Sequence, residues 1–250
     1  MKITIENQQM TTYWKLCLIL LLGLFVLSCK KNESEIIEGV STDEAVEIIS
    51  KAISSESYGL VSNITEASEK AKSTKVYTEA PTINCGQGYQ NNFTADESTN
   101  NYSYNYSINA TYLLNCTAAK LPQAFTYTHN LKGTYDTNRM ESDDTAQSSF
   151  SITGLEVQAD NAVLNGEYNR TGSQDYTLAN AKEFDSKTSV IVKNINLNKV
   201  TAEILSGTAS VNLEVIYMSK AYKFSGNIVF NGNDSATITV NGATYTIQLD

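Results

Sequence analysis

The sequence predicts a mainly β fold: one long antiparallel meander sheet with a short helical hairpin at its N-terminal side. Three observations carry this. From Lys75 onward, apolar residues recur at every second position. Short turn signals separate these alternating runs. No stretch after Lys75 keeps helical spacing over about ten residues, and parallel strands need crossovers of about a dozen residues or more, usually helical. Neighbouring strands are therefore antiparallel and joined by short turns.

The chain opens with an apolar run, Leu16 to Leu27, behind Lys15. It is about twelve residues long, and crossing a bilayer core takes roughly twenty. Such a run reads as the core of a secretory signal. The stretch before Lys15 is long for a leader and carries Glu6, which makes Met10 a second candidate start. Val26-Leu27-Ser28-Cys29 closes the run in the pattern of a bacterial lipobox. Cleavage after Ser28 makes residues 1–28 a signal peptide and leaves 222 of the 250 residues. Cys29 then accepts a diacylglycerol on its thiol. One acyl chain binds a membrane only marginally, so a stable anchor takes further acylation, palmitate included.

Residues 29–40 read as a lipidated polar tether, and residues 41–74 as two helices. Ser41 followed by Glu44 is a capping-box pattern. Ala45, Ile48, Ile49, Ala52 and Ile53 share one helical face until Tyr58-Gly59 interrupts. Leu60, Val61, Ile64, Ala67 and Ala71 form a second stripe, over Leu60 to Lys72. Helices this short are not stable alone, so their stripes must cover the sheet of residues 75–250.

In that sheet Tyr102, Tyr104, Tyr106, Ile108, Ala110 and Tyr112 alternate strictly with polar residues, and Phe125, Tyr127, His129, Leu131 and Tyr135 repeat the pattern. Further strands read at Ser149–Val157, Ala162–Asn169, Thr188–Leu197, Ala202–Tyr217, Tyr222–Phe230, Thr237–Val240 and Thr244–Leu249. Asp160-Asn161, Thr171-Gly172-Ser173, Asn231-Gly232-Asn233 and Asn241-Gly242 are the turn signals between them, the last a strong type I′ hairpin. An open sheet of about eight to eleven strands must curl, close or split into layers. A curled sheet or partial barrel seats the helices on its concave side; a two-layer sandwich is the alternative.

The net charge of −9 argues against nucleic acid, whose binding needs a basic surface. Cys17 leaves with the signal and Cys29 is lipidated, so Cys85 and Cys116 remain. In an oxidising exported compartment they pair most simply as a disulfide. The one histidine, His129, lies on the apolar face of its strand and reads as a packed, hydrogen-bonded residue. With a lone His and no partner Cys, a zinc site or a Ser-His-Asp triad has little to draw on. Asp136, Glu141, Asp143 and Asp144 match no calcium loop and read as a solvated hairpin loop. The tyrosine stripe is ordinary sheet filling, or an aromatic surface for sugars. No cofactor, metal site or catalytic residue is expected.

The tether, the short helices, the Cys85-Gly86 turn, Ile152-Thr-Gly154-Leu155, Phe224-Ser-Gly226 through Asn231-Gly232, and Thr239-Val-Asn241-Gly242 resemble uncharacterised lipoproteins of flavobacterial (Bacteroidota) type. The resemblance implies an outer-membrane or surface lipoprotein. In that group Asp144-Thr145-Ala146 and Asp234-Ser235-Ala236 are similar to O-glycosylation acceptors, which points to Thr145 and Ser235. The expected function is a membrane-anchored, non-enzymatic structural or interaction module. A carrier of a lipid or other hydrophobic ligand and a surface glycan-binding protein are the alternatives.

Overall fold

The computed structural model of the protein describes residues 39–176 and 182–249. Helix α1 spans Thr42–Ile53. Ser41 Oγ accepts from the Glu44 N–H (3.2 Å), and the Glu44 carboxylate accepts from the Ser41 N–H (2.7 Å). This reciprocal box satisfies two donors that the helix start would otherwise orphan. A single 3-10 turn, Ser55–Ser57, follows. Tyr58 then takes the left-handed conformation, and Gly59 opens α2, Leu60–Ser73. The break thus falls at the expected dipeptide.

Ten strands follow: β1 (Gly88–Ser98), β2 (Tyr102–Cys116), β3 (Pro122–Thr137), β4 (Met140–Thr153), β5 (Asn161–Tyr176), β6 (Glu183–Asn198), β7 (Ile204–Tyr217), β8 (Lys220–Gly232), β9 (Ser235–Val240) and β10 (Ala243–Gln248). They form one antiparallel sheet in sequence order. β1 and β10 are its two edges, so the sheet does not close into a barrel, and a sandwich is excluded because all the described strands belong to one sheet.

The sheet curls around the helices. The Tyr58 ring packs on Tyr104 and Tyr106 of β2, while three residues earlier the Ser55 N–H donates to the carbonyl of Leu249, just past β10. Eight inter-strand gaps separate β2 from β10, about 38 Å if the sheet were flat. A four-residue link reaches both only because the sheet wraps. Ile49, Ile53, Leu60 and Ile64 fill the hollow against Tyr106, Tyr127, Phe150 and Tyr168, all within 2% of full burial.

Several sequence expectations are corrected. Residues 136–144 are not a solvated loop. They are the end of β3, a tight turn and the start of β4, with Asp136 facing Glu141. Asp144 lies on the core face and is 1% exposed. Thr171-Gly172-Ser173 is not a turn either; it lies inside β5, in register with β4. Gly172 faces Asp144, and a Cβ there would run into the Asp144 carboxylate. The glycine makes room for a buried charge. Strand β1 escaped the alternation test because only Tyr89, Phe93 and Ala95 among its residues are apolar. It is an edge strand with a half-covered inner face. The Asn241-Gly242 turn is as expected: both residues have positive φ, the type I′ signature. The same geometry recurs at Met218-Ser219, between Tyr217 and Lys220, with no glycine to announce it.

Candidate functional site

The densest polar chemistry is a buried arginine–aspartate centre beneath the helical pair. Arg170 on β5 and Asp144 on β4 have side chains 4% and 0% exposed. Arg170 Nη2 donates to Asp144 Oδ2 at 2.5 Å and to Tyr106 Oη at 2.7 Å. Tyr106 in turn donates to Asp144 Oδ2 at 3.1 Å, and Ser142 Oγ donates to Oδ1 at 2.8 Å. The guanidinium also lies 5.0 Å from the Tyr135 ring centroid, on a cation–π contact. Burial alone would lower the Arg170 pKa; the charge of the Asp144 carboxylate hydrogen-bonded to it outweighs this and holds the pKa well above its ordinary value. Burial likewise drives the Tyr106 hydroxyl up and keeps it neutral.

The same guanidinium reaches across the layer. Nη2 donates to the Ser57 carbonyl at 3.1 Å, and Nη1 to the Lys51 carbonyl at 3.5 Å. These carbonyls end α1 and form the 3-10 turn, where a helix leaves acceptors open. A cation at a helix C-terminus is also favoured by the helix dipole. Arg170 therefore joins the core of the sheet to the corner of the helical pair.

Acidic residues of α1 pin its other end at the rim. Glu44 pairs with Lys182 at 2.5 Å. Glu47 accepts from Arg139 Nε at 2.6 Å and from Tyr176 Oη at 2.6 Å. Asp43 accepts from Tyr245 Oη at 2.8 Å. One helix thus touches the β3–β4 turn, β5, the start of β6 and β10.

His129 is fully buried, as its apolar face predicts, between the Tyr58 and Tyr127 rings. Among the described residues neither ring nitrogen has a hydrogen-bond partner, which corrects the expectation of a hydrogen-bonded histidine. Burial lowers its pKa to about 4 and keeps the imidazole neutral. Cys85 and Cys116 are joined as a disulfide with Cα atoms 5.6 Å apart, tying the lead-in of β1 to the end of β2. Thr145 is exposed in mid-strand on the outer face of β4, whereas the Asp144 beside it is consumed by Arg170. Ser235 sits just after the Asn233-Asp234 turn, half-buried, donating to the Gly232 carbonyl. Cys29 lies outside the described residues. Among the described residues no group of His, Cys, Asp or Glu is placed to hold a metal ion, and no helix is long and apolar enough to cross a membrane.

Two surfaces remain open to partners. At the β1–β2 side of the inner face the tyrosines are half-buried. Tyr102 and Tyr104 have rings parallel within 7° at 6.3 Å, and Tyr89 and Tyr112 within 10° at 5.4 Å. Tyr104 Oη donates to Glu97, and burial together with that carboxylate pushes its pKa up to about 12. On the outer face an open groove of about 760 Å³ crosses β1 to β5, lined by Asp96, Asp136, Glu141, Asp143 and Asp175 among hydroxyl and amide side chains. The sequence showed part of this acid cluster, but placed it on a loop. No family model, curated protein or solved structure matches the chain.

Proposed function

We propose that the chain is an exported lipoprotein, anchored at the outer membrane through Cys29 with its β domain on the periplasmic or surface side, and that it works as a non-enzymatic interaction module. The observation that carries this reading is the Cys85–Cys116 disulfide, a bond that persists in oxidising compartments. It supports export independently of the Val26-Leu27-Ser28-Cys29 pattern. The groups best suited to acid–base chemistry, His129 and the Asp144–Arg170 pair, are sealed from solvent and used in packing the helices onto the sheet. A carrier of hydrophobic ligands needs an apolar hollow, and the helices fill the place where it would lie. Mass spectrometry of the mature N-terminus tests the anchor: triacylated Cys29 is expected, and an unmodified Cys29 or a cut elsewhere overturns it.

Glycan binding is the second reading, favoured by the two parallel tyrosine pairs. Parallel rings can stack on sugar faces while Glu97 and Asn91 offer hydrogen bonds. Titration with neutral oligosaccharides should then show binding that Tyr104→Ala and Tyr112→Ala each weaken. No heat and no chemical-shift change with any such sugar removes this reading and leaves the first intact.

A further inference from the structure

The free edge of β1 is a long, unguarded pairing surface. Its other edge runs against β2 for eleven residues without a register shift, and among the described residues no strand lies on its outer side. Natural edges are blunted by lysine, proline, bulges or shortness. β10 is short, at six residues. β1, Gly88–Ser98, is long, has no bulge and contains no Lys, Arg or Pro; its only charges are the two acids at its C-terminal end.

Its charges say what it fits. The only charged residues in β1 are Asp96 and Glu97, both at its C-terminal end. Parallel pairing with a like strand would stack acid on acid. Antiparallel pairing about Phe93 overlaps all eleven residues and sets each acid against an uncharged residue. Gln90 then faces Asp96 of the second copy, Tyr89 faces Glu97, Asn91 faces Ala95, and the two Phe93 rings meet at the axis. Every opposed pair has the same parity, so the half-buried inner row meets the inner row.

We propose that β1 pairs antiparallel with β1 of a second copy of this chain, two-fold related about Phe93, so that two ten-stranded sheets join into one. An isologous contact of this kind closes at a dimer.

The test uses the full chain in detergent, with circular dichroism confirming that each variant folds. Sedimentation should find a dimer. Gln90→Glu sets two acid pairs across the axis and should weaken the dimer by about tenfold at low salt. Adding Asp96→Lys should restore it. Under mild oxidation Phe93→Cys should give a disulfide-linked dimer, whereas Asn91→Cys should not, because the two 91 positions lie about 13 Å apart in this register. A chain monomeric at about 100 µM overturns the proposal. So do open-ended oligomers, equal cross-linking at both positions, or a Gln90→Glu variant that dimerises unchanged.

Discussion

Arg170 is the residue on which the two layers depend. It balances one buried carboxylate and donates to two carbonyls of the helical corner. Removing one member of a buried pair leaves an uncompensated charge, at a cost of about 3–5 kcal/mol. Arg170→Met should therefore lower unfolding stability in urea by about that much. Arg170→Met combined with Asp144→Leu should recover a large part of it, since an apolar pair carries no stranded charge. The centre was half legible in the sequence. Counting back by twos from Phe150 and Ile152 puts Asp144 on the core face, and counting on from Leu164 and Tyr168 puts Arg170 there. What hid it was the run of acids around Asp144 and the glycine at 172, both of which imitate a loop. His129 was fully legible as buried, but its missing hydrogen bonds were not. Its folded pKa is about 4 against an ordinary 6.5, so the unfolded chain binds the extra proton between those values. Stability is then complete above about pH 6.5, falls as pH drops towards 4, and flattens below, with a total of about 3 kcal/mol. Glu66, which burial raises, slopes the opposite way. Comparing the pH profiles of the unmodified chain and His129→Phe isolates the histidine, and the slope should be smaller in the variant.

Among the elements, α1 and α2 were readable almost to the residue. Their signals are local: a capping box, two apolar stripes and a glycine break. β2, β3 and β6 to β8 were readable because the helices bury their alternate positions, whereas the acid run hid the first half of β4 and Gly172 hid the second half of β5. β1 was not, because an edge strand has less to bury. What holds β1 is its ladder to β2 and the disulfide at one end. Closing a loop of about thirty residues is worth roughly 3–4 kcal/mol in the chain-entropy model. The Cys85→Ser, Cys116→Ser double variant should lose about that much global stability. The loss should be accompanied by faster amide exchange in β1 than in β4 or β5, because the bridge fastens only the edge. Uniform loss of protection across the sheet would mean that β1 nucleates the fold rather than decorating it.

For the whole molecule, the sheet order was legible and the curl was legible only as a requirement. Ten strands cannot stay open and flat, but the sequence does not say what fills the hollow until the helices are seen touching both ends of the sheet. Charge acts at this same scale. The outer face sets Asp136, Glu141, Asp175 and Glu183 directly opposite one another across β3 to β6, and like charges directly opposite are destabilising. The rim pairs Glu44–Lys182 and Glu47–Arg139 pull the other way, but such partly exposed pairs are weak. With a net charge of −9, repulsion should win. Screening shortens from about 30 Å at 0.01 M salt to about 8 Å at 0.15 M, which weakens the repulsion between rows of acids more than the short rim contacts. At pH 8, where His129 is neutral in both states, the thermal midpoint should rise by a few degrees over that range of sodium chloride. Glu141→Lys, which turns two of the three repulsive pairs attractive, should raise the midpoint at low salt and largely abolish its dependence on salt. A midpoint that falls with salt would show instead that the rim pairs, and not the acid row, set the electrostatic balance.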